Sequence, residues 1–195
     1  MDSETTDEIL AATGRALCSR GYADLTVKDI AEESSLTTAA IHYHFDTKEA
    51  LLTAYLDRLI ERFETRLAPS SADSRERLST LLEVVFTPVE ADTDQFAVAM
   101  MELKAQAPYK EPYRNRFRTF DERIRDVIVD AVRDGTAAGH FEECDAEALA
   151  RGVVTMIDGG HSRDVALGED LGATRAIVES YVEQHLSWTS TEGGT

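Results

Sequence analysis

Between Thr26 and Lys48 the chain reads TVKDIAEESSLTTAAIHYHFDTK, and no other stretch restricts the fold as much. It predicts two short helices joined by a tight turn, with a third helix starting directly behind them. Thr26 can cap the first helix, and Asp29 stands three residues on, where a capping box places its acid. Val27, Ile30 and Ala31 give that helix one apolar face. Glu33-Ser34-Ser35-Leu36 makes the turn. Thr37 caps the second helix, Thr38 to His44, and Thr47 caps the next. So short a helix buries little, and its small, polar start needs another reason. In a helix-turn-helix the second helix lies in the DNA major groove, its N-terminal residues toward the base edges. Thr37, Thr38, Ala39 and Ala40 are small enough for that approach.

The rest of the chain follows helical periodicity. Thr5-Thr6-Asp7-Glu8 reads as a capping box that opens helix 1, and Gly21 stops it. Helix 4 runs from Thr47 to about Leu67 with Leu51, Tyr55, Leu59 and Phe63 at four-residue steps. Residues 69–74 read as a linker. Helix 5 carries Leu78, Leu81, Leu82, Val85 and Phe86 and ends near Pro88. Helix 6 starts after Asp92, and Pro108 and Pro112 bracket the break behind it. Helix 7 carries Tyr113, Phe117, Phe120, Ile124 and Ile128 and stops at Gly135. Gly139-His140-Phe141 is a turn. Helix 8 runs from Asp145 to about Leu167, and helix 9 follows Asp170 and reaches about Trp188. No strand pattern competes, so the fold class is all-α with about nine helices.

With 195 residues and 43% hydrophobic content, the chain suits one or two small domains with a real core. No apolar run approaches the ~18 residues of a membrane span, and the acidic start MDSETTDEIL is no signal peptide. Cys18 and Cys144 are expected as small buried residues rather than a disulfide. An intracellular, cytoplasmic protein without membrane contact is the expectation. Its charge is unusual for a nucleic-acid binder. The formal net charge is −17, from 37 acids against 20 bases, and the lysines are Lys28, Lys48, Lys104 and Lys110 alone. Residues 1–50 hold ten acids against four bases, Arg15, Arg20, Lys28 and Lys48, where a basic footprint is usual. Either the chain binds no DNA, or it works in very high salt, where the Debye length shrinks to ~3 Å at 1 M. The composition resembles that of proteins from extreme halophiles. The second reading is favoured, because the motif is sharp and the acids spread along the whole chain. Counterion release then contributes less to binding, and direct and shape readout contribute more.

Three runs carry a family resemblance. Ile9 to Tyr22 (ILAATGRALCSRGY) is an apolar helix ending in Gly-Tyr, Thr26 to Ala31 is Thr-Val-x-x-Ile-Ala, and Tyr43 to Glu49 is YHFDTKE. In order and spacing they resemble the N-terminal domain of TetR/AcrR-family transcriptional regulators. Two positions depart from that pattern: Ser34-Ser35 replaces Ala-Gly in the turn, and His42 stands where tyrosine is common. The resemblance implies a DNA-binding domain over residues 1–47 and a ligand-binding and dimerisation domain over 48–188; residues 189–195 are expected as a flexible, fraying tail. It implies a homodimeric repressor, released from a palindromic double-stranded operator by a small-molecule effector. The alternative is the same fold acting as a protein-binding adaptor.

Carried over residue by residue, Thr38, Ala39 and Ala40 face bases, while Tyr43, His44 and Lys48 face phosphates. Thr26, Thr37 and His42 complete the candidate DNA surface. For the effector, the aromatic and methionine stripe nominates Phe96, Met100, Leu103, Tyr113, Phe117 and Phe120, with Met156 and His161 from helix 8. Lys104, Glu102 and Asp158 are further polar candidates. Similar repressors dimerise through their last two helices, which nominates Val153, Ile157, Gly160, Val165, Ile177 and Tyr181. The arginines of helix 7 (114, 116, 118, 123 and 125) read as solvated salt-bridge partners. His42 and His44 lie on different helix faces with no acid or thiol cluster beside them, so no metal is expected, nor any other cofactor. No glycine-rich phosphate loop and no nucleophile elbow suggests an enzyme.

Overall fold

The computed structural model describes residues 2–67, 73–87 and 93–187. Their ordered elements are nine helices: α1 (Asp2–Asp24), α2 (Val27–Glu32), α3 (Thr38–His44), α4 (Lys48–Leu67), α5 (Ser74–Phe86), α6 (Thr93–Gln106), α7 (Glu111–Ala137), α8 (Ala146–Leu167) and α9 (Leu171–Leu186). The tail over 189–195, Trp188 and most of the linker lie outside the described residues.

Capping chemistry fixes most of these boundaries. Thr26 and Asp29 form the capping box of α2 in both directions, and Thr37 caps α3. Asp73, Asp145 and Asp170 cap α5, α8 and α9 through backbone N–H groups one turn in. The expected capping box at Thr5 is a correction, because α1 already begins at Asp2. Gly21 does interrupt α1, with φ 73° and ψ 167°, but three more residues stay helical behind it. Helix α7 passes Gly135 and ends at Ala137.

The chain divides into two compact units. One comprises the described residues up to Arg62 with α6 and the start of α7 through Arg118. The other comprises the end of α4, α5, α7 from Thr119, α8 and α9. In the first unit, α6 lies along α1. Its core joins Ile9, Ala12, Leu17, Ile30, Ile41, Leu51, Leu52 and Tyr55 to Ala99, Leu103 and Tyr113. The helix-turn-helix therefore shares one core with α6 and the first turns of α7. In the second unit, α9 packs on α8 and α5 around Leu81, Ile128, Leu149, Val153, Ile157, Val178 and Val182. Cys18 and Cys144 are half-buried.

Packing requires a glycine at position 135. A Cβ at Gly135 would lie 2.2 Å from two carbons of the Phe141 ring, which is buried. Gly135→Ala removes a helix penalty of ~1 kcal/mol, yet it must expel or shift that ring at ~1–3 kcal/mol. The net effect is expected to be destabilising, read as a lower denaturation midpoint in molar KCl. An unchanged or higher midpoint would mean that the ring moves freely.

Candidate nucleic-acid interface

Helix α3 is held from one side only. Ile41 is its buried residue, with Leu36 and Phe45 packing against the same core from either end. The opposite side is open. Ala39, His42 and Tyr43 are exposed, Thr38, Ala40 and His44 are half-buried, and Thr37 and Thr26 are exposed at the caps. Tyr43 is 85% exposed, and its ring stands edge-on to His44 at 5.4 Å. A large aromatic side chain left in water by its own fold offers apolar area and a hydroxyl to a partner.

Helix α1 secures the turn in front of α3. The Glu8 carboxylate accepts from the Ser35 N–H at 2.9 Å and the Ser35 hydroxyl at 2.7 Å. These bonds hold the Glu8 carboxyl below its usual range. The Ser34 hydroxyl donates to the Ala31 carbonyl and accepts from the Leu36 N–H. The left-handed backbone positions among the described residues are Gly21, Gly139, Gly168 and Ser187, so Ser34-Ser35 turns without one. That explains why the departure from Ala-Gly is tolerated. Glu8 was missed by sequence reasoning; a carboxylate one helix away from a Ser-Ser turn gives no local signal.

The cations here are occupied. Arg15 donates to the Glu33 carbonyl at 2.5 Å and pairs with the Glu33 carboxylate, Arg20 pairs with Asp29, and Lys28 pairs with Glu32. Lys48, the candidate phosphate contact, is engaged within the chain as well. Its ammonium donates to the Tyr22 carbonyl at 2.6 Å and lies 4.7 Å from the centre of the Tyr22 ring. Desolvation lowers its pKa from the ordinary lysine value, while Asp24 and Asp29 work against that shift.

The effector candidates divide between the two units. Phe96, Met100, Leu103, Tyr113 and Phe117 belong to the first unit, where Leu103 and Tyr113 are fully buried core. Burial pushes the Tyr113 phenol far above its usual range. Phe120, Met156 and His161 belong to the second unit. There Phe120 meets Phe63 edge-on at 4.8 Å, and His161 stacks on Phe86 at 5.9 Å. Lys104 and Glu102 fall in the first unit and Asp158 in the second.

Three of the six dimer candidates, Val153, Ile157 and Gly160, sit in the core of their own chain. A Cβ at Gly160 would sit 2.4 Å from a Thr174 methyl, so this glycine seats α9 on α8. Val165 and Tyr181 are half-buried, and Ile177 is 61% exposed. Of the helix 7 arginines, Arg116 clasps Asp57 with two nitrogens, Arg123 meets Glu64 at 2.8 Å and Arg125 meets Asp121 at 2.8 Å, whereas Arg114 donates to the Ala107 and Pro108 carbonyls.

A capped, outward-facing second helix behind a fixed turn defines a helix-turn-helix DNA-binding protein. Comparison with known proteins gives the family. Residues 9–55 match the model of the bacterial regulatory proteins of the tetR family, and residues 74–187 match that of the C-terminal part of BetI-type transcriptional repressors. The chain belongs to the TetR family, in its BetI-type branch. It is similar to the HTH-type transcriptional regulator BetI of Rhizobium meliloti, 28% identical over 187 residues, covering 91% of this chain and 87% of that one. A TetR transcription regulator from Haloarcula marismortui superposes with a TM-score of 0.87 at 38% identity, covering 94% of this chain and 99% of that one. A transcriptional regulator from Saccharomonospora viridis in complex with choline gives 0.82 at 26% identity, covering 94% and 98%. The chain is thus a ligand-responsive DNA-binding transcriptional repressor that binds operator DNA as a homodimer, and not an enzyme. No described helix is long and apolar enough to cross a membrane.

Proposed function

We propose that this repressor works in the cytoplasm, holds a palindromic operator through the outer face of α3, and lets it go when a small organic cation of the choline kind binds the second unit. Thr37, Thr38, Ala39 and Ala40 meet base edges, while His42, Tyr43 and His44 meet the phosphates; Thr26 supports them by capping α2. The observation that carries this reading is the exposure of Tyr43 on a helix held from behind by Ile41. Two copies of α3 related by a two-fold axis would read half-sites ~34–36 Å apart or a multiple of that.

The surface offered for dimerisation is the outer stripe of α8 and α9: Thr155, Gly159 and Ser162 on one, Ala173, Ile177 and Ser180 on the other, all exposed. A Cβ at Gly159 would meet nothing within 4 Å, so that position is open to a close neighbour. For the effector, the choline complex of the Saccharomonospora relative supports a quaternary ammonium ion. Phe120, Phe86 and His161 supply the kind of ring faces that attract such a cation, with Met156 as an adaptable neighbour.

Purified protein should select a palindrome from a random DNA library in molar KCl. Tyr43→Ala should bind that sequence at least ~10-fold more weakly, the cost of a lost hydrogen bond to a charged group. Choline should release the fragment, and operator should weaken choline binding by the same factor. Failure of the folded wild-type dimer to select any sequence at any salt would defeat the DNA reading. Operator affinity indifferent to choline would defeat the effector class alone.

A further inference from the structure

Tyr22 stands where α1 gives way to the helix-turn-helix, and side chains grip both ends of its backbone. Gly21, at φ 73° and ψ 167°, turns the Tyr22 N–H out of the α1 ladder. The Glu102 carboxylate of α6 takes that N–H at 2.5 Å. A Cβ at position 21 would crowd the same carboxylate at 3.0 and 3.3 Å, so glycine serves both the backbone angle and the approach. On the other side, the Lys48 ammonium of α4 takes the Tyr22 carbonyl and covers its ring. Tyr113 of α7 stands edge-on to the same ring, with centres 6.4 Å apart. Three helices thus converge on one residue, with a charged partner at each end of its backbone, the stronger kind of hydrogen bond. Meanwhile α3 contributes one buried side chain of its own, Ile41. Its aim therefore depends on the frame behind it, and a binding constellation works only within about 0.5 Å and 10–20° of its productive geometry.

We propose that Glu102 and Lys48 are positioning residues for operator recognition: clamping Tyr22 from α6 and α4, they fix how α2 and α3 leave α1, and Lys48 serves affinity through Tyr22 rather than through a DNA phosphate. This inference rests on the operator-binding reading above. A positioning residue and a phosphate contact differ in what they do to selectivity. Loss of a phosphate contact weakens all sequences alike and flattens the salt dependence. Loss of positioning spoils the base contacts, so specific binding falls while non-specific binding holds.

The test is titration of wild type, Lys48→Met and Glu102→Gln against the selected operator and a scrambled fragment, at several KCl concentrations, with helicity and dimer mass checked throughout. Each variant is expected to bind operator roughly 10-fold more weakly, with a smaller operator-to-scrambled ratio and an unchanged slope of log K against log salt. The double variant should lose little more than either single one, because both act on Tyr22. A Lys48→Met protein that weakens on both fragments equally, with a slope changed by about 0.9 per subunit, would place the amine on a phosphate and overturn the proposal. So would wild-type binding by both variants. If Lys48→Met does not fold, Glu102→Gln decides alone. If wild type itself selects no sequence, the failure belongs to the operator reading instead.

Discussion

Ile177→Glu is expected to convert the dimer into a monomer and to weaken operator binding by about 10²- to 10⁴-fold, the advantage lost when two linked half-site contacts become independent. The side chain is 61% exposed on α9, although its neighbours Val178 and Val182 fill the core of the same unit. Small residues surround it on the outer stripe, and a two-fold axis through such a stripe brings each Ile177 toward its copy or its copy's neighbours. A carboxylate there is desolvated beside a second one on a surface already rich in acid, so repulsion adds to the lost apolar area. Gly159→Leu tests the same stripe by volume instead of charge. Its added atoms begin in open space within the chain, so the monomer should fold while close approach of a partner is blocked. Light scattering coupled to size exclusion reads the mass, and anisotropy with the operator fragment reads the affinity. Both variants remaining dimeric with wild-type affinity would move the interface elsewhere.

The outline of the fold was legible because its boundaries are local chemistry. Thr26 with Asp29, Thr37, Asp145 and Asp170 each act on backbone within one turn, and a reader of residues sees all of them. Gly21 was legible as a break for the same reason. Helix α1 starts earlier than expected because Thr5-Thr6-Asp7-Glu8 satisfies a pattern that the preceding residues override by continuing the helix. The motif Gly135-x-x-x-Gly139-His-Phe141 could be seen, but not its cause: one glycine makes room for the ring and the other adopts φ 74°.

Sites that depend on which face meets which neighbour were harder to read. Helix α8 is apolar at Val153, Ile157 and Gly160 because it seats α9, and periodicity alone cannot tell an inner face from one kept for a partner copy. The small exposed positions of the same helix, Thr155, Gly159 and Ser162, escape hydrophobic counting altogether. The aromatic stripe of helices 6 and 7 was divided for a similar reason. α6 lies along α1, so Leu103 and Tyr113 complete the core behind the recognition module. The Lys48 ammonium meets the Tyr22 carbonyl 26 residues away, a contact that the run YHFDTKE does not announce. Contacts such as Glu8 to Ser35 and Glu102 to Tyr22 span 27 and 80 residues of chain and carry no sequence signal.

Withdrawing salt should unfold this protein, and adding salt should leave operator affinity level or raise it, the reverse of what a basic DNA-binding domain does. Two unit charges ~20 Å apart in water repel by ~0.2 kcal/mol without screening. A surplus of 17 negative charges makes on the order of a hundred such pairs, so the repulsion reaches on the order of 10 kcal/mol, the size of a whole folding free energy. An extended chain relieves part of it, and dimerisation adds to it. At ~1 M salt the screening length is ~3 Å and nearly all of the term vanishes. Exposed ion pairs such as Arg133 with Glu147 weaken over the same range, but each contributes under ~1 kcal/mol. For DNA the same screening removes repulsion between phosphates and the acid-rich first fifty residues. The usual opposing loss is small, because Arg15, Arg20, Lys28 and Lys48 are already engaged within the protein and release few counterions on binding. Circular dichroism against KCl fixes the range in which the helices are intact, and anisotropy with the operator fragment inside that range reads the slope. A steep fall in affinity with salt, with the helices intact, would mean that several of these cations leave their carboxylates for phosphates when DNA arrives.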